Sequence, residues 1–343
     1  MALMSEKKVN VAVVGCGLFG EVHAATYAHL PDVNLVAVCD IDLARAQAFA
    51  ERFGGLAVER VEQIADNDDI EAVSIVTPDP EHRAPCEVLA AAGKHLLIEK
   101  PLATTVVDAE AIALAADQAG VIAMVDFHNR YHPAVLAART RLDRGDMGKP
   151  QSMYARLSDR IEVATEWLSW AGRSGPEWFL APHMVDLACW LFGSAPRRVF
   201  ADARKDVLAA RGLDCNDTIQ MHLSFEEGFA TLESSWILPN AWPSVADFYI
   251  SLQATEARAD LDMSRQGATV VDDGRYDRPF LLGHTPAGPE DFGFMSWPIR
   301  DFVQAVRSGD PSPIPLDDGL ENVRIIAAAL ESAHTGQAVE MGV

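Results

Sequence analysis

Three glycines near the N-terminus, within the sequence GCGLFG, have the spacing of a loop that can bind a phosphate group. Gly15 permits a tight turn, Gly17 lets the backbone approach a pyrophosphate, and Gly20 lets a helix pack closely on a strand. The motif follows the apolar run VNVAVV and begins a helical pattern, whose first amide groups can donate to phosphate oxygens. We therefore expect a dinucleotide to bind here, lined also by Leu18 and Phe19.

An acidic residue at the end of the next apolar run indicates which dinucleotide binds. Asp40 can accept hydrogen bonds from both ribose hydroxyls of NAD. The 2′-phosphate of NADP would be repelled by about 4 kcal/mol at about 4 Å and a dielectric of about 20, or roughly a thousandfold in affinity. No arginine follows directly, because Ile41 and Asp42 come next and Arg45 is a turn later. The sequence predicts NAD rather than NADP, with Ile41 beside it.

A lysine follows the apolar run HLLIE, in the sequence Glu99-Lys100-Pro101. Ligands of doubly wound sheets bind at the carboxyl ends of the strands, so Lys100 should lie near the nicotinamide. Pro101 restricts the backbone of Lys100 and so favours one orientation. In its neutral form such a lysine can accept a hydroxyl proton while hydride leaves the same carbon. A surface lysine at a strand end is an equal alternative from position alone.

The elements that must position these residues alternate between strand and helix up to residue 127. The predicted strands are apolar throughout, as expected for a parallel sheet covered on both faces. They are Val9–Gly15, Val33–Asp40, Ala72–Thr77, His95–Glu99 and Val121–Phe127. Helical patterns separate them, and this alternation predicts βαβ crossovers and a Rossmann domain over residues 1–127.

The pattern changes after residue 127 to long strands with alternating polar and apolar residues, as in QMHLSF. Such alternation is typical of an antiparallel sheet with one polar face. The predicted strands are Gln151–Arg160, Arg197–Lys205, Thr218–Phe225, Phe229–Leu238 and Phe248–Met263. The predicted helices are Pro133–Arg144, His183–Phe192, Pro298–Arg307 and Leu320–His334. The fold class is therefore α/β, with a second domain over residues 128–343 that holds a large, mostly antiparallel open sheet.

The composition excludes several classes of partner. The 343 residues carry a formal net charge of −22, which would repel nucleic acid and anionic membranes. The five cysteines are odd in number and lack CxxC spacing, as expected in a reducing compartment. The N-terminus lacks a secretory pattern, and no apolar run reaches the roughly 20 residues of a membrane span. We expect a cytoplasmic protein.

Several segments in order resemble the glucose–fructose oxidoreductase, inositol dehydrogenase and MocA family. They are GCGLFG, VTPDPEH at residues 76–82, EKP, DFHNRYHP at residues 126–133, HMVDLACWLFG at residues 183–193 and ENVRIIAAALESAHTGQAV near the C-terminus. EKP alone is only moderately specific, but the whole set in this order is highly specific. The resemblance covers nearly the whole chain.

The resemblance implies NAD or NADP chemistry on sugars, polyols or cyclitols. It implies that Lys100 is the principal acid/base and that His183 lies beside it and faces the substrate. Family loops that line the cofactor correspond here to Thr77, Pro78, His82, Glu99 and Asn129. The open sheet of the second domain often mediates oligomers in this family, so a homodimer or homotetramer is expected.

One position departs from the family. Many members have an aspartate four residues before the histidine, where this chain has Phe179. Three interpretations stay open: Lys100 and His183 suffice, a carboxylate such as Glu166 or Glu177 substitutes, or catalysis is impaired.

Substrate contacts are predicted in a segment rich in tryptophan and charge. A tryptophan ring could stack on the apolar face of a sugar, while charged groups bind hydroxyls, although core packing or an oligomer contact is the alternative for each tryptophan. The predicted substrate residues are Arg130, Asp159, Arg160, Trp167 and Trp170. His128 and His132 have no evident third ligand, so no metal site is predicted.

These patterns favour an NAD-dependent dehydrogenase acting on a carbohydrate-like substrate. Two other functions are compatible with the same fold. One is an NAD-dependent, redox-neutral enzyme that processes glycosides through transient oxidation. The other is a non-catalytic regulator that binds NAD and a sugar, which the phenylalanine at position 179 slightly favours.

Overall fold

The computed structural model describes residues 8–271, 274, 276–278 and 293–342. Of these, residues 8–128 and 293–320 form one compact unit, and residues 129–278 and 321–342 form a second. Residues 293–320 thus belong to the first unit, and the chain re-enters the second unit at residue 321. The predicted division places every residue after 127 in the second domain and so misses this return.

The first unit contains a sheet whose six described strands are all parallel. They are β1 (Val9–Val14), β2 (Val33–Cys39), β3 (Leu56–Val58), β4 (Ala72–Ile75), β5 (His95–Glu99) and β6 (Ala123–Asp126). Their order is β3-β2-β1-β4-β5-β6, so the order reverses between β1 and β4. This is the arrangement of a dinucleotide-binding Rossmann fold, and it confirms the predicted parallel sheet.

Helices of this unit begin and end at residues suited to those positions. The helices are α1 (Leu18–His29), α2 (Leu43–Phe53), α3 (Val61–Ala65), α4 (Arg83–Ala91), α5 (Val106–Ala119) and α9 (Ser296–Ser308). The Thr105 hydroxyl accepts the N–H of Asp108 at the start of α5, and left-handed Gly120 ends that helix. β3 and α3 are absent from the sequence prediction because they are too short to show a hydrophobic period.

The second unit is built on a seven-stranded sheet. Its described strands are β7 (Pro150–Arg160), β8 (Arg198–Arg204), β9 (Thr218–Phe225), β10 (Gly228–Leu238), β11 (Ala246–Ala254), β12 (Arg258–Asp262) and β15 (Val339–Glu340). The order is β12-β11-β7-β10-β9-β8-β15, and only β7 and β10 run parallel. The sheet is therefore mostly antiparallel, as predicted. A separate hairpin pairs β13 (Val270–Val271) with β14 (Tyr276–Asp277).

Helices of the second unit include one that packs directly on the sheet. They are α6 (Pro133–Asp143), α7 (Pro176–Phe179) and α8 (Ala181–Phe192), and α10 (Leu316–Thr335) extends into this unit. α8 packs against β7 and β10, so one face of the sheet is covered. None of the helices that the structure describes is long and apolar enough to cross a membrane.

One predicted strand is wrong. The stretch Phe248–Met263 is two antiparallel strands, β11 and β12, rather than one. The chain turns after Ala254, whose N–H donates to the carbonyl of Ala257 at 2.8 Å. The apolar alternation is interrupted there only by the adjacent polar residues Thr255 and Glu256, a break so short that the sequence pattern was interpreted as one strand.

Candidate active site

The glycine loop leaves space where a phosphate would lie. Gly15 has φ of +106°, and a Cβ there would lie 2.4 Å from the carbonyl oxygen of Val76. A Cβ at Gly20 would lie 2.1 Å from the carbonyl oxygen of Gly15. A Cβ at Gly17, the N-cap of α1, would meet nothing within 4 Å. The loop therefore needs glycine for its own packing at two positions, while the third faces open space that fits a pyrophosphate.

A matched pair of substitutions separates these roles. We expect Gly17→Ala to weaken NAD binding about tenfold or more, because its methyl group enters the space left for the phosphates. Gly17 has φ of −95° and ψ of −162°, which alanine adopts freely, so the melting temperature should not change. Gly20→Ala should lower both the NAD affinity and the melting temperature, because its methyl group collides with the carbonyl oxygen of Gly15. Calorimetric titration with NAD and thermal unfolding measure the two effects; unchanged NAD affinity in Gly17→Ala would contradict the assignment.

The Asp40 carboxylate is held at the end of β2 by main-chain donors. Its Oδ2 accepts the N–H of Cys16 at 2.9 Å, and its Oδ1 accepts the N–H of Asp42 at 2.9 Å. The guanidinium of Arg45 also reaches it, with Nη1 3.5 Å from Oδ2. Ile41 is 92% exposed beside it. The carboxylate is thus fixed in orientation, with further acceptor capacity for ribose hydroxyls.

Lys100 is buried at the carboxyl end of β5. Its side chain is only 2% exposed, so the alternative of a surface lysine is wrong. The Nζ atom lies 5.7 Å from the centre of the Phe19 ring, which belongs to the glycine loop. The Lys100 N–H donates to Oε2 of Glu99 at 3.1 Å. The first unit therefore brings together the predicted phosphate loop and the predicted acid/base.

A buried polar cluster lies next to Lys100, and its members come from four elements. His23 of α1 places Nε2 3.4 Å from Oε1 of Glu99 and 3.3 Å from Oδ2 of Asp126. Its Nδ1 lies 2.9 Å from Oγ of Ser74. Burial lowers the pKa of His23, but hydrogen bonds and attraction to Asp126 and Glu99 outweigh that effect and raise it to about 9. Burial and the nearby Glu99 raise the pKa of Asp126, whereas the bond to His23 helps to lower that of Glu99. These directions favour a protonated His23 between the carboxyl groups of Glu99 and Asp126.

The sequence analysis missed His23 and Asp126. Asp126 ends the apolar strand β6 just as Glu99 ends β5, and a polar residue closing an apolar strand was the usable signal. Ligand atoms of His23, Glu99 and Asp126 lie within 4.8 Å of one another, which a metal ion would also require. A proton on His23 would offset part of the negative charge of the two carboxyl groups, as a metal ion would.

His82 connects the loop after β4 to the segment after Lys100. Its Nδ1 lies 2.8 Å from the carbonyl oxygen of Pro101, and its Nε2 lies 3.0 Å from the carbonyl oxygen of Thr77. Burial lowers the pKa of His82. Both ring nitrogens lie near main-chain carbonyl oxygens, and a neutral ring can donate to one of them. His82 therefore links the predicted cofactor loop of Thr77 and Pro78 to the segment after Lys100.

In the second unit, His183 lies in the first turn of α8 and is buried. Asp186, one turn later, is bound by Arg130, whose Nε lies 2.9 Å from Oδ2 and 3.1 Å from Oδ1. The guanidinium predicted to bind substrate hydroxyls is thus held by a buried carboxylate. Asn129, the neighbouring predicted cofactor residue, is also buried.

Phe179, where the family aspartate would be, lies in an aromatic cluster. Its ring centre is 5.9 Å from that of Trp170 and 5.5 Å from that of the fully buried Trp236. Trp170, predicted to stack on substrate, packs on Phe179 and is half-buried. Trp167 is 46% exposed.

The other predicted substrate residues are also placed. Asp159 is buried at the end of β7. Arg160 extends to Glu162, with Nη2 2.9 Å from Oε1, and to the carbonyl of Asn240. Asp159 and Arg160 thus lie at the same strand end, although Arg160 is engaged by a neighbouring carboxylate.

Two carboxylates were considered as substitutes for the family aspartate. Glu166 is exposed and Glu177 is buried. Glu177 Oε1 accepts the side-chain N–H of Asn216 at 2.9 Å. A Cβ at Gly175, whose φ is +102°, would lie 2.6 Å from Oε2, so this carboxyl group needs glycine beside it. Burial raises the pKa of Glu177 to about 7.

This raised pKa predicts a pH-dependent stability. The folded state holds the Glu177 proton more tightly than the unfolded state, so its contribution is full below about pH 4.5 and is lost as pH rises through about 7. Glu177→Gln should therefore raise the free energy of unfolding by about 1–3 kcal/mol at pH 8 and have little effect at pH 5. Urea unfolding at both pH values, with exposed Glu166→Gln as the control, measures this; an equal effect at both would contradict it.

Comparison with known proteins agrees with this geometry. The family model described as "Oxidoreductase family, NAD-binding Rossmann fold" matches residues 9–127, and the "GFO/IDH/MocA C-terminal domain" matches residues 135–260. D-apiose dehydrogenase of Paraburkholderia graminis is 26% identical, over 98% of this chain and 90% of the relative. Inositol 2-dehydrogenase of Rhizobium meliloti is 27% identical, over 94% of this chain and 96% of the relative.

One solved structure with a similar fold contains bound NAD. The crystal structure of GenD2 from gentamicin A biosynthesis, in complex with NAD, has a TM-score of 0.86 and 26% identity. It covers 98% of this chain and 97% of the GenD2 chain.

Proposed function

Because this chain belongs to the GFO/IDH/MocA family of oxidoreductases, we propose that it is an NAD-dependent dehydrogenase of sugars, polyols or cyclitols. The observation that carries this proposal is Lys100, buried at the carboxyl end of β5 and next to the ring of Phe19 in the glycine loop. Relatives named as D-apiose and inositol dehydrogenases support the substrate class.

In the proposed reaction, NAD supplies the hydride acceptor when it is bound. Gly15, Gly17 and Gly20 let the loop approach the pyrophosphate, and the Asp40 carboxylate binds the ribose hydroxyls. Lys100 accepts the proton of a substrate hydroxyl during oxidation and returns it during reduction. His183 orients that hydroxyl. Burial of Lys100 removes competing water, which strengthens the hydrogen bond to the reacting oxygen.

Further details of this proposal concern the substrate and the assembly. We propose that Trp167, which is 46% exposed, stacks on a sugar ring, and that Asp159 and Arg160 bind hydroxyl groups. Carbohydrate faces and aromatic rings bury apolar area against each other in this way. We also propose a cytoplasmic homodimer or homotetramer joined through the outer face of the second unit's sheet, which carries Tyr154, Thr231 and Tyr249.

A substrate panel tests the function. Purified protein is incubated with NAD and a series of sugars, cyclitols and sugar acids, while the near-ultraviolet absorbance of NADH is followed. We expect a rise with at least one polyhydroxylated substrate. Glycoside cleavage without accumulated NADH would instead indicate the redox-neutral enzyme. NAD and sugar binding without any turnover would indicate the regulator.

A further inference from the structure

The buried cluster around His23 continues to the main chain of the proposed acid/base. One oxygen of Glu99, Oε1, lies against His23. The other, Oε2, accepts the N–H of Lys100 at 3.1 Å. His23 therefore holds one oxygen of the Glu99 carboxylate, and the other oxygen holds the backbone of Lys100.

The same cluster reaches Lys100 by a second path. Asp126 Oδ1 lies 3.9 Å from Nδ1 of His128, and the His128 ring stacks on Phe19 at 5.8 Å between centres. Phe19 in turn lies under the ammonium of Lys100. His23 thus contacts two carboxyl groups. Glu99 accepts the N–H of Lys100, and Asp126 lies near the His128 ring that stacks on Phe19.

Charge explains why a histidine is needed at this position. Two buried carboxylates repel each other and are costly to remove from water unless a cation lies between them. Cationic and titratable groups that face the pair include His23 from α1, Lys100 after β5 and His128 after β6. Tyr27 reaches His23 through Ser74 and by an edge contact between the two rings, whose centres are 6.5 Å apart. Burial lowers the pKa of His128. His23 places one ring nitrogen, Nε2, within 3.4 Å of both carboxyl groups.

We infer that His23 is a positioning residue, which as a buried imidazolium holds Glu99 and Asp126 and, through Glu99, the main chain of Lys100. This inference rests on the proposed function, because it explains how the proposed acid/base is held. His23 itself touches neither substrate nor cofactor in this role. It acts by keeping the amine of Lys100 in one place, since small displacements of a catalytic group reduce turnover strongly.

The first test is a kinetic comparison on the full chain with the substrate found by the panel. His23→Gln keeps a neutral side chain of similar size and removes the charge. We expect kcat to fall about 30-fold, with the Kd for NADH and the KM for substrate within about threefold. Tyr27→Phe, which removes the hydrogen bond to Ser74 at the far end of the cluster, serves as the structural control and should lower the melting temperature without lowering kcat. Equal kcat in His23→Gln and wild type would overturn the inference.

The second test needs neither substrate nor an active enzyme. Nitrogen NMR of labelled histidine in the wild-type protein should show one imidazole with both nitrogens protonated at neutral pH, and His23→Gln should lack that signal. If His23→Gln does not fold, Ser74→Ala identifies the signal, because it removes the partner of Nδ1. A neutral His23 imidazole in the wild-type protein would overturn the inference. The inference would also be overturned if the wild-type protein contained one zinc ion per chain and His23→Gln contained none. Failure of the substrate panel would reject the proposed function but leave this result intact.

Discussion

Replacement of Lys100 by methionine is expected to lower kcat about a thousandfold and to leave NADH binding unchanged. Methionine has a similar length and suits the buried environment of a side chain that is 2% exposed. It lacks the nitrogen that accepts and returns the hydroxyl proton, so only the acid–base contribution is removed. Steady-state kinetics with the identified substrate and fluorescence titration with NADH measure the two quantities.

A second buried lysine of the same unit provides the control. Lys94 donates to the carbonyl oxygens of Asn67 and Ile70 and lies before the opposite end of β5. Lys94→Met should reduce the melting temperature but retain turnover. Retained turnover in Lys100→Met would reject the acid–base role, and loss of NADH binding there would show that Lys100 holds the cofactor instead.

Asp40→Asn is expected to change the cofactor preference toward NADP by about a hundredfold or more in the ratio of the two Kd values. The carboxylate would repel a 2′-phosphate, and the amide would not. Arg45 lies 3.5 Å from this carboxylate and would become available to the added phosphate. The effect is smaller than the full repulsion between two charges because Arg45 already offsets part of the Asp40 charge.

Asp42 serves as a control, because its substitution removes the same charge near the site without removing the carboxylate proposed to bind the ribose. Asp42 is two residues away and accepts N–H groups of Ala44 and Arg45 at the start of α2. Asp42→Asn should change the ratio of the two Kd values less than tenfold. The double variant Asp40→Asn/Arg45→Ala should lose most of the gain in NADP affinity. An unchanged ratio in Asp40→Asn would show that this carboxylate does not contact the ribose.

The parts of the first unit that were predictable from sequence have local causes. Gly15 is needed because its backbone is left-handed and because a side chain would collide with Val76. Asp40 and Lys100 were recognisable because they directly follow apolar strands. Such signals depend on a few neighbouring residues, and they sufficed for the parallel sheet and the phosphate loop.

The partners of buried polar groups were not predictable, because they are set by tertiary packing. His23 appears in the sequence as one histidine within an apolar helix, and nothing local shows that Glu99 and Asp126 approach it. The same holds for Arg130, whose buried partner Asp186 is 56 residues away. The return of α9 to the first unit likewise depends on contacts with β1, β5 and β6 that are distant in sequence.

The second unit shows the same limit for aromatic residues. A tryptophan-rich segment is compatible both with stacking on a sugar and with packing in a core. Trp170 packs on Phe179, and Trp178 is buried, whereas Trp167 is exposed. Phe179, at the position of the family aspartate, belongs to this cluster.

Hydride transfer can be measured directly with a substrate that carries deuterium on the carbon to be oxidised. The protein is incubated with this substrate and NAD, and the recovered nicotinamide cofactor is analysed by mass spectrometry. The account predicts one deuterium in NADH for each substrate oxidised, and none with Lys100→Met. Product that forms while the deuterium stays in the sugar or enters water would contradict it.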